Sequence, residues 1–282
     1  MDKRGWVMLR VLINRYHSKE GHALLKFLPE EERQSVMDQE VSSMDLTPIL
    51  EQPQKALAKI HYSWIQPLEE AFPDSLRPAL IAALTAQKLA GLKEPSALSI
   101  SEVARKFILN QIYDSLKIDE HLPLEYLPQG ELLPLAQWSR GDMIHLMDFL
   151  GLYDLASEVR QIVNRNYLKN IYACLTPKQF YYLKVCLHQK ERLTSPKLGI
   201  DPTQQDCPKL KKIIHRRGLL RLGRALCGEH PDLVWHIAHT LDRGRGNVLL
   251  QEYHTEPLHK VTQLLKEQVL NLVNSLPLKG GA

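Results

Sequence analysis

The chain has 282 residues, 44% of them hydrophobic and 24% charged, with a net charge of only +4. That balance belongs to a globular protein able to bury a core, and it excludes a disordered chain or one dominated by membrane spans. No apolar run approaches the roughly 20 residues that a bilayer-crossing helix needs, and Arg10 and Arg15 interrupt the N-terminal one. No small-residue cleavage site follows it, so a secretory leader is not expected and the cytosol is the expected compartment.

From the N-terminus onward, apolar residues recur at helical spacing. Leu28-Pro29, Phe72-Pro73, Leu127-Pro128 and Thr176-Pro177 punctuate the runs. Proline lacks an amide hydrogen and has a fixed φ, so it ends one helix and suits the first turn of the next. Glu30, Glu31 and Glu32 stand where a helix N-terminus favours negative charge, and Thr176 is an expected N-cap. Further on, Leu152, Leu155, Ala156, Val159, Ile162 and Val163 form a stripe that resumes at Leu168, Ile171, Tyr172 and Leu175. This spacing predicts one amphipathic face running about six turns. No segment alternates apolar and polar residues for long enough to read as a strand. The expected fold is all-α, stacked helical hairpins, with a separate C-terminal helical subdomain as an option.

Three regions are expected: an N-terminal helical extension over 1–60, a central helical body over 61–195 and a C-terminal basic helical region over 208–276. The N-terminal region ends in the polar stretch 39–54. The segment 194–208, with Pro196, Gly199, Pro202 and Pro208, reads as the strongest linker, and the tail 279–282 as frayed. The four cysteines, Cys174, Cys186, Cys207 and Cys227, contain no Cys-x-x-Cys pair. In a chain of this length they are expected to be reduced and mostly buried.

Standard catalytic motifs are missing: no Gly-x-Ser-x-Gly, no His-Glu-x-x-His, no phosphate-binding loop and no dinucleotide fingerprint. His236, His239 and Asp242 fall at i, i+3 and i+6, with Cys227 and His230 just upstream. They have zinc-ligand chemistry but not the tight paired spacing of zinc sites. The alternative is a helix whose histidines pack beside Trp235 or face solvent. No metal and no cofactor are expected. Arg243-Gly244-Arg245-Gly246-Asn247 reads as a helix C-cap rather than a phosphate loop.

Charge is concentrated between Cys207 and Gly228, where Lys209, Lys211, Lys212, Arg216, Arg217, Arg221 and Arg224 occur with no acid. Gly218 and Gly223 suggest two short helices there in place of one. This segment is a candidate surface for an acidic protein partner. A nucleic-acid-binding regulator is the alternative, although no recognition motif accompanies the charge. A second candidate surface is the stripe Leu258, Val261, Leu265, Val269, Leu272 and Leu276, at steps of three or four.

The run from Leu146 to Val163, Leu-Met-Asp-Phe-Leu-Gly-Leu-Tyr-Asp-Leu-Ala-Ser-Glu-Val-Arg-Gln-Ile-Val, followed by Tyr167-Leu168 and the Leu175 corner, resembles the core of SctK-type proteins (YscK, PscK). So does the later order: Arg-Gly-Leu and Leu-Gly-Arg-Ala-Leu over 217–226, then Val234-Trp235-His236-Ile237, then a closing helix from Leu258. The likeness covers roughly 120–276. These proteins are cytosolic accessory components of bacterial type III secretion systems. The resemblance implies a non-enzymatic adaptor, cytoplasmic and peripheral to the inner-membrane apparatus. Its implied partners are the SctD-type cytoplasmic domain of the ring, the SctQ pod and the SctL/SctN complex. Contact with the membrane would be only indirect, through the ring, and no nucleic acid is expected. The Leu-Pro corners also resemble those of the flagellar switch protein FliG, a related reading.

Overall fold

A computed structural model describes residues 3–16, 23, 25–39, 41, 44–47, 57–86, 91–92, 96–189, 193, 196–199 and 206–275. Among them the chain is all-α, with twelve α-helices, short 3-10 segments and no strand. The helices are α1 (Lys3–Tyr16), α2 (Glu30–Met37), α3 (Gln66–Ala71), α4 (Arg77–Ala86), α5 (Glu102–Ser115), α6 (Arg140–Val159), α7 (Arg165–Ala173), α8 (Pro177–His188), α9 (Cys207–Ala225), α10 (Pro231–Thr240), α11 (Arg243–Glu252) and α12 (His259–Ser275). The helices divide into two units, neither of which is a continuous stretch of chain. One comprises residues 1–136 with 230–246, and the other 137–229 with 247–282. The linear regions 1–60, 61–195 and 208–276 are therefore not the units that pack.

Several helix boundaries follow from local chemistry. Pro29 precedes α2, whose first turn holds Glu30, Glu31 and Glu32. Thr176 caps α8 in a full capping box, its hydroxyl accepting from the Gln179 amide while the Gln179 side chain accepts from the Thr176 amide. Ser101, Ser139 and Asp206 accept in the same way at the starts of α5, α6 and α9.

In the first unit, Ile13, Leu25 and Val36 form a small core with Trp6 and Leu28. A larger core gathers Leu57, Ile60, Ile65, Leu80, Leu84, Leu109, Ile112 and Ile118, with Trp64 and Trp235 packed against it. Trp235 belongs to α10, more than a hundred residues later in the chain. This return of 230–246 closes the unit.

The second unit is built around α6, on which Met143, Leu146, Met147, Leu150, Leu152, Leu155 and Ala156 are all buried. Burial round the helix, rather than along one stripe, marks a central helix. The stripe expected to continue past Val159 does not: α6 stops there, Val163 is 93% exposed, and α7 starts afresh at Arg165 behind its Asn164 cap. Helix α9 lies along α6 as one unbroken helix, not two. Gly151 and Gly218 explain why. A Cβ on Gly151 would overlap the Ile214 carbonyl, and one on Gly218 would overlap the Met147 carbonyl and lie 2.9 Å from the Gly151 amide nitrogen. Glycine here allows two backbones to touch. Asp148–His215 and Asp154–Arg221 keep the same separation of 67 residues, so the two helices run in the same direction.

The described residues 196–199 of the segment expected as a linker pack within this unit. The Leu198 amide donates to Glu158 at 2.8 Å, and Arg217 donates to the Pro196 and Lys197 carbonyls at 3.0 Å. The expectation of four reduced thiols is also corrected. Cys174 and Cys207 form a disulfide with their Cα atoms 5.0 Å apart, whereas Cys186 and Cys227 are buried thiols outside that bond. Folding brings the C-cap of α7 to the first turn of α9, a proximity that a spacing of 33 residues does not reveal. The tail 279–282 and Leu276 lie outside the described residues, as does most of 39–54.

Candidate functional site

The first unit contains a cavity of about 250 Å³, and α10 supplies one wall of it. Pro231 sits at the first turn of α10, and Asp232 beside it is fully buried. A carboxylate there is favoured by the helix N-terminus, and it accepts from His121 Nδ1 at 2.9 Å and from the Leu122 amide at 3.2 Å. The other end of α10 is satisfied by a segment far away in sequence. The His61 amide donates to the His239 carbonyl at 2.9 Å, and the Trp64 indole donates to the Leu241 carbonyl at 3.0 Å. These are the terminal carbonyls that a helix cannot satisfy internally.

This clamp aligns four rings in a continuous stack. Trp64 stacks on His239 at 4.1 Å, His239 on Trp235 at 4.0 Å, and Trp235 on His121 at 4.4 Å. Trp235 and His239 are one helical turn apart and so share a face. His236 meets the edge of Trp235 at 5.1 Å. Both helical imidazoles donate to backbone carbonyls, which accept only. His236 Nε2 donates to Leu122 at 2.7 Å and His239 Nδ1 to Trp235 at 2.8 Å, and these bonds identify the nitrogen that carries hydrogen in each ring. Burial holds each imidazole neutral, with a pKa of about 4. The Lys59 charge adds to the depression at His236, and His121 adds to it at both rings.

Arg4 reaches the cavity from α1. Its Nε donates to the His121 carbonyl at 3.4 Å, and its guanidinium lies 5.5 Å from the centre of the Tyr113 ring. Lys59, Tyr113, His121, Trp235 and His236 share the lining with it. Cationic groups therefore face an aromatic and aliphatic wall.

Of the residues considered for metal binding, His236 and His239 pack beside Trp235, as the alternative reading anticipated. Asp242 does not share their face. It lies beyond the end of α10, where its side chain accepts from the Arg245 amide at 3.3 Å and pairs with the Arg245 guanidinium. Cys227 is buried in the other unit. Among the described residues no three His, Cys, Asp or Glu side chains are disposed around a metal position. The glycine-rich stretch read as a C-cap is instead the start of α11, capped by Asp242. Gly246 is needed there because a Cβ would lie 2.5 Å from Trp64 and 2.6 Å from the Ala238 carbonyl.

The candidate partner-binding residues separate into two groups. Lys209, Lys211, Lys212 and Arg216 are exposed on α9. Arg221 is not a surface residue: it is 5% exposed, donates to Asp154 with Nε at 3.1 Å and reaches Gln268 at 2.6 Å. Arg217 holds the 196–197 carbonyls, and Arg224 pairs with Glu252 at 2.8 Å. The α12 stripe is likewise turned inward. Leu265, Val269 and Leu272 are buried in their own unit, Val261 is half-buried, and Leu258, which precedes the helix, is 39% exposed. An amphipathic stripe has the same spacing whether it meets its own unit or a partner.

His121, Trp64, Arg4, Lys59 and Asp232 were not singled out by sequence reasoning. Each is an isolated residue, and only the Trp235–His239 spacing hints at the stack. Comparison with protein-family models, curated proteins and solved structures finds no significant match.

Proposed function

We propose that the chain is a non-enzymatic adaptor of the cytosolic sorting platform of a type III secretion system, joining the inner-membrane ring to pod and ATPase components. The reading rests on the resemblance to SctK-type proteins. One structural observation supports it: two segments carrying that resemblance, α6 and α9, pack through the glycines of their own motifs. Gly151 stands in the Leu-Gly-Leu-Tyr run and Gly218 in Arg-Gly-Leu, and each abuts the other helix's backbone. The closing helix α12 completes the same unit, with Gln268 accepting from Arg221.

The surface offered to an acidic partner is the row Lys209, Lys211, Lys212 and Arg216, exposed on α9. Positive side chains in the first turns of a helix oppose its dipole, so an anionic partner surface would relieve an internal electrostatic cost.

Affinity purification of the tagged full-length chain from its own cells tests the proposal. SctQ-, SctL- or SctD-type proteins should co-purify. Replacing Lys211, Lys212 and Arg216 with glutamate should reduce their recovery while leaving the unfolding midpoint unchanged. Recovery of RNA or metabolic enzymes, with no secretion component, would overturn it.

A further inference from the structure

We propose that the cavity beside α10 binds a small organic monocarboxylate with a short apolar stem, its carboxylate held by Arg4 and Lys59. The cation comes first. The Arg4 Nε is engaged by the His121 carbonyl and its guanidinium carbon lies 5.5 Å from the centre of the Tyr113 ring, while its terminal nitrogens make no hydrogen bond or ion pair among the described residues. A guanidinium fork presented in this way matches the two oxygens of a carboxylate. Lys59 lines the same space, is exposed, and acts electrostatically on His236. The two helical imidazoles, held neutral chiefly by burial, add no charge of their own at neutral pH.

The rest of the lining sets the ligand's size and charge. Tyr113, Ile118, Leu124 and Trp235 make an apolar wall suited to a ring or a branched alkyl group. The volume is about eight times a water's share of liquid, which accommodates roughly eight or nine heavy atoms. Glu125 also lines the cavity and disfavours a dianion such as a phosphate monoester. The site therefore selects a single negative charge on an apolar body. This inference does not depend on the adaptor reading, since every residue in it belongs to the first unit.

Isothermal titration of the full-length protein with sodium benzoate and sodium isovalerate tests it. A ligand of this size is expected to bind with Kd on the order of 1 mM or tighter. Benzamide, which keeps the ring and removes the charge, should bind at least about tenfold more weakly. Lys59→Gln and Arg4→Gln should each weaken benzoate by about tenfold, the usual loss of a charged hydrogen bond. Lys59 is exposed, so Lys59→Gln carries the test if Arg4→Gln disturbs α1. Three results would each overturn the proposal: no heat from either carboxylate at about ten times the expected Kd, equal binding of benzamide and benzoate, or wild-type affinity in folded Lys59→Gln. Inorganic phosphate displacing benzoate at equal concentration would also overturn it, because the site would then be a generic anion contact.

Discussion

Gly218 of α9 faces the Met147 carbonyl of α6 so closely that even one methyl group would overlap it. The matching glycine, Gly151, faces the Ile214 carbonyl, so both helices surrender their side chains at the same crossing. Backbone atoms cannot swing aside as the end of a flexible side chain can. Gly218→Ala and Gly151→Ala should each destabilise the protein by about 3 kcal/mol, the upper range for overpacking. Urea unfolding measures this. Gly141→Ala is the control: its nearest neighbour would be the Ser139 hydroxyl at 3.6 Å. It should be neutral or stabilising by up to about 1 kcal/mol, because alanine favours the helix.

The two buried imidazoles of α10 set a pH dependence. His236 and His239 have native pKa values of about 4, against 6.5 for an unperturbed imidazole. Between these values the unfolded chain binds protons that the native state refuses, so stability rises with pH. Their contribution is complete above about pH 6.5 and is lost progressively as the pH falls toward 4, by about 3 kcal/mol per ring at most. Urea midpoints at pH 7.5 and 4.5 check the direction. His239→Phe keeps a ring in the stack but removes one titration, so its midpoint should fall less over the same interval.

Arg221 and Asp154 form a buried pair, with side chains 6% and 4% exposed. Removing one charge strands the other, so Arg221→Met should cost about 3–5 kcal/mol. Replacing both, Arg221→Met with Asp154→Leu, should recover much of that loss because no unpaired charge remains. A double-mutant cycle in urea reads the difference directly.

The Cys174–Cys207 disulfide closes a loop of 33 residues. Loop-closure entropy predicts that reduction lowers stability by about 4 kcal/mol. Dithiothreitol should shift the urea midpoint down. In its absence, thiol labelling of the unfolded chain should detect two thiols, those of Cys186 and Cys227. Detection of four would contradict the pairing.

Helix α2 after Pro29, the Thr176 N-cap and the all-α class were legible because each is decided within a few residues, by a ring that lacks a donor or a hydroxyl that reaches three residues on. The continuity of α9 was misread for the same reason. Glycine lowers local helix propensity, and only the opposing backbone explains why Gly218 stays helical. The cavity was invisible for a different reason. Arg4, Lys59, His121 and Trp235 carry no spacing signal because they come from four separate parts of the chain.

Local composition and periodicity therefore determined the all-α class, the starts of α2 and α8, and the concentration of positive charge near 209–216. Tertiary packing alone decided which cations stay exposed and which are consumed internally, as Arg221 is by Asp154. It also decided that the apolar stripe of α12 faces its own unit, and that 230–246 returns to the N-terminal part of the chain. The physical reason is common to all three. Propensity, capping and periodicity act over one or two turns, whereas burial and charge pairing depend on which surfaces meet, and those surfaces are distant in sequence.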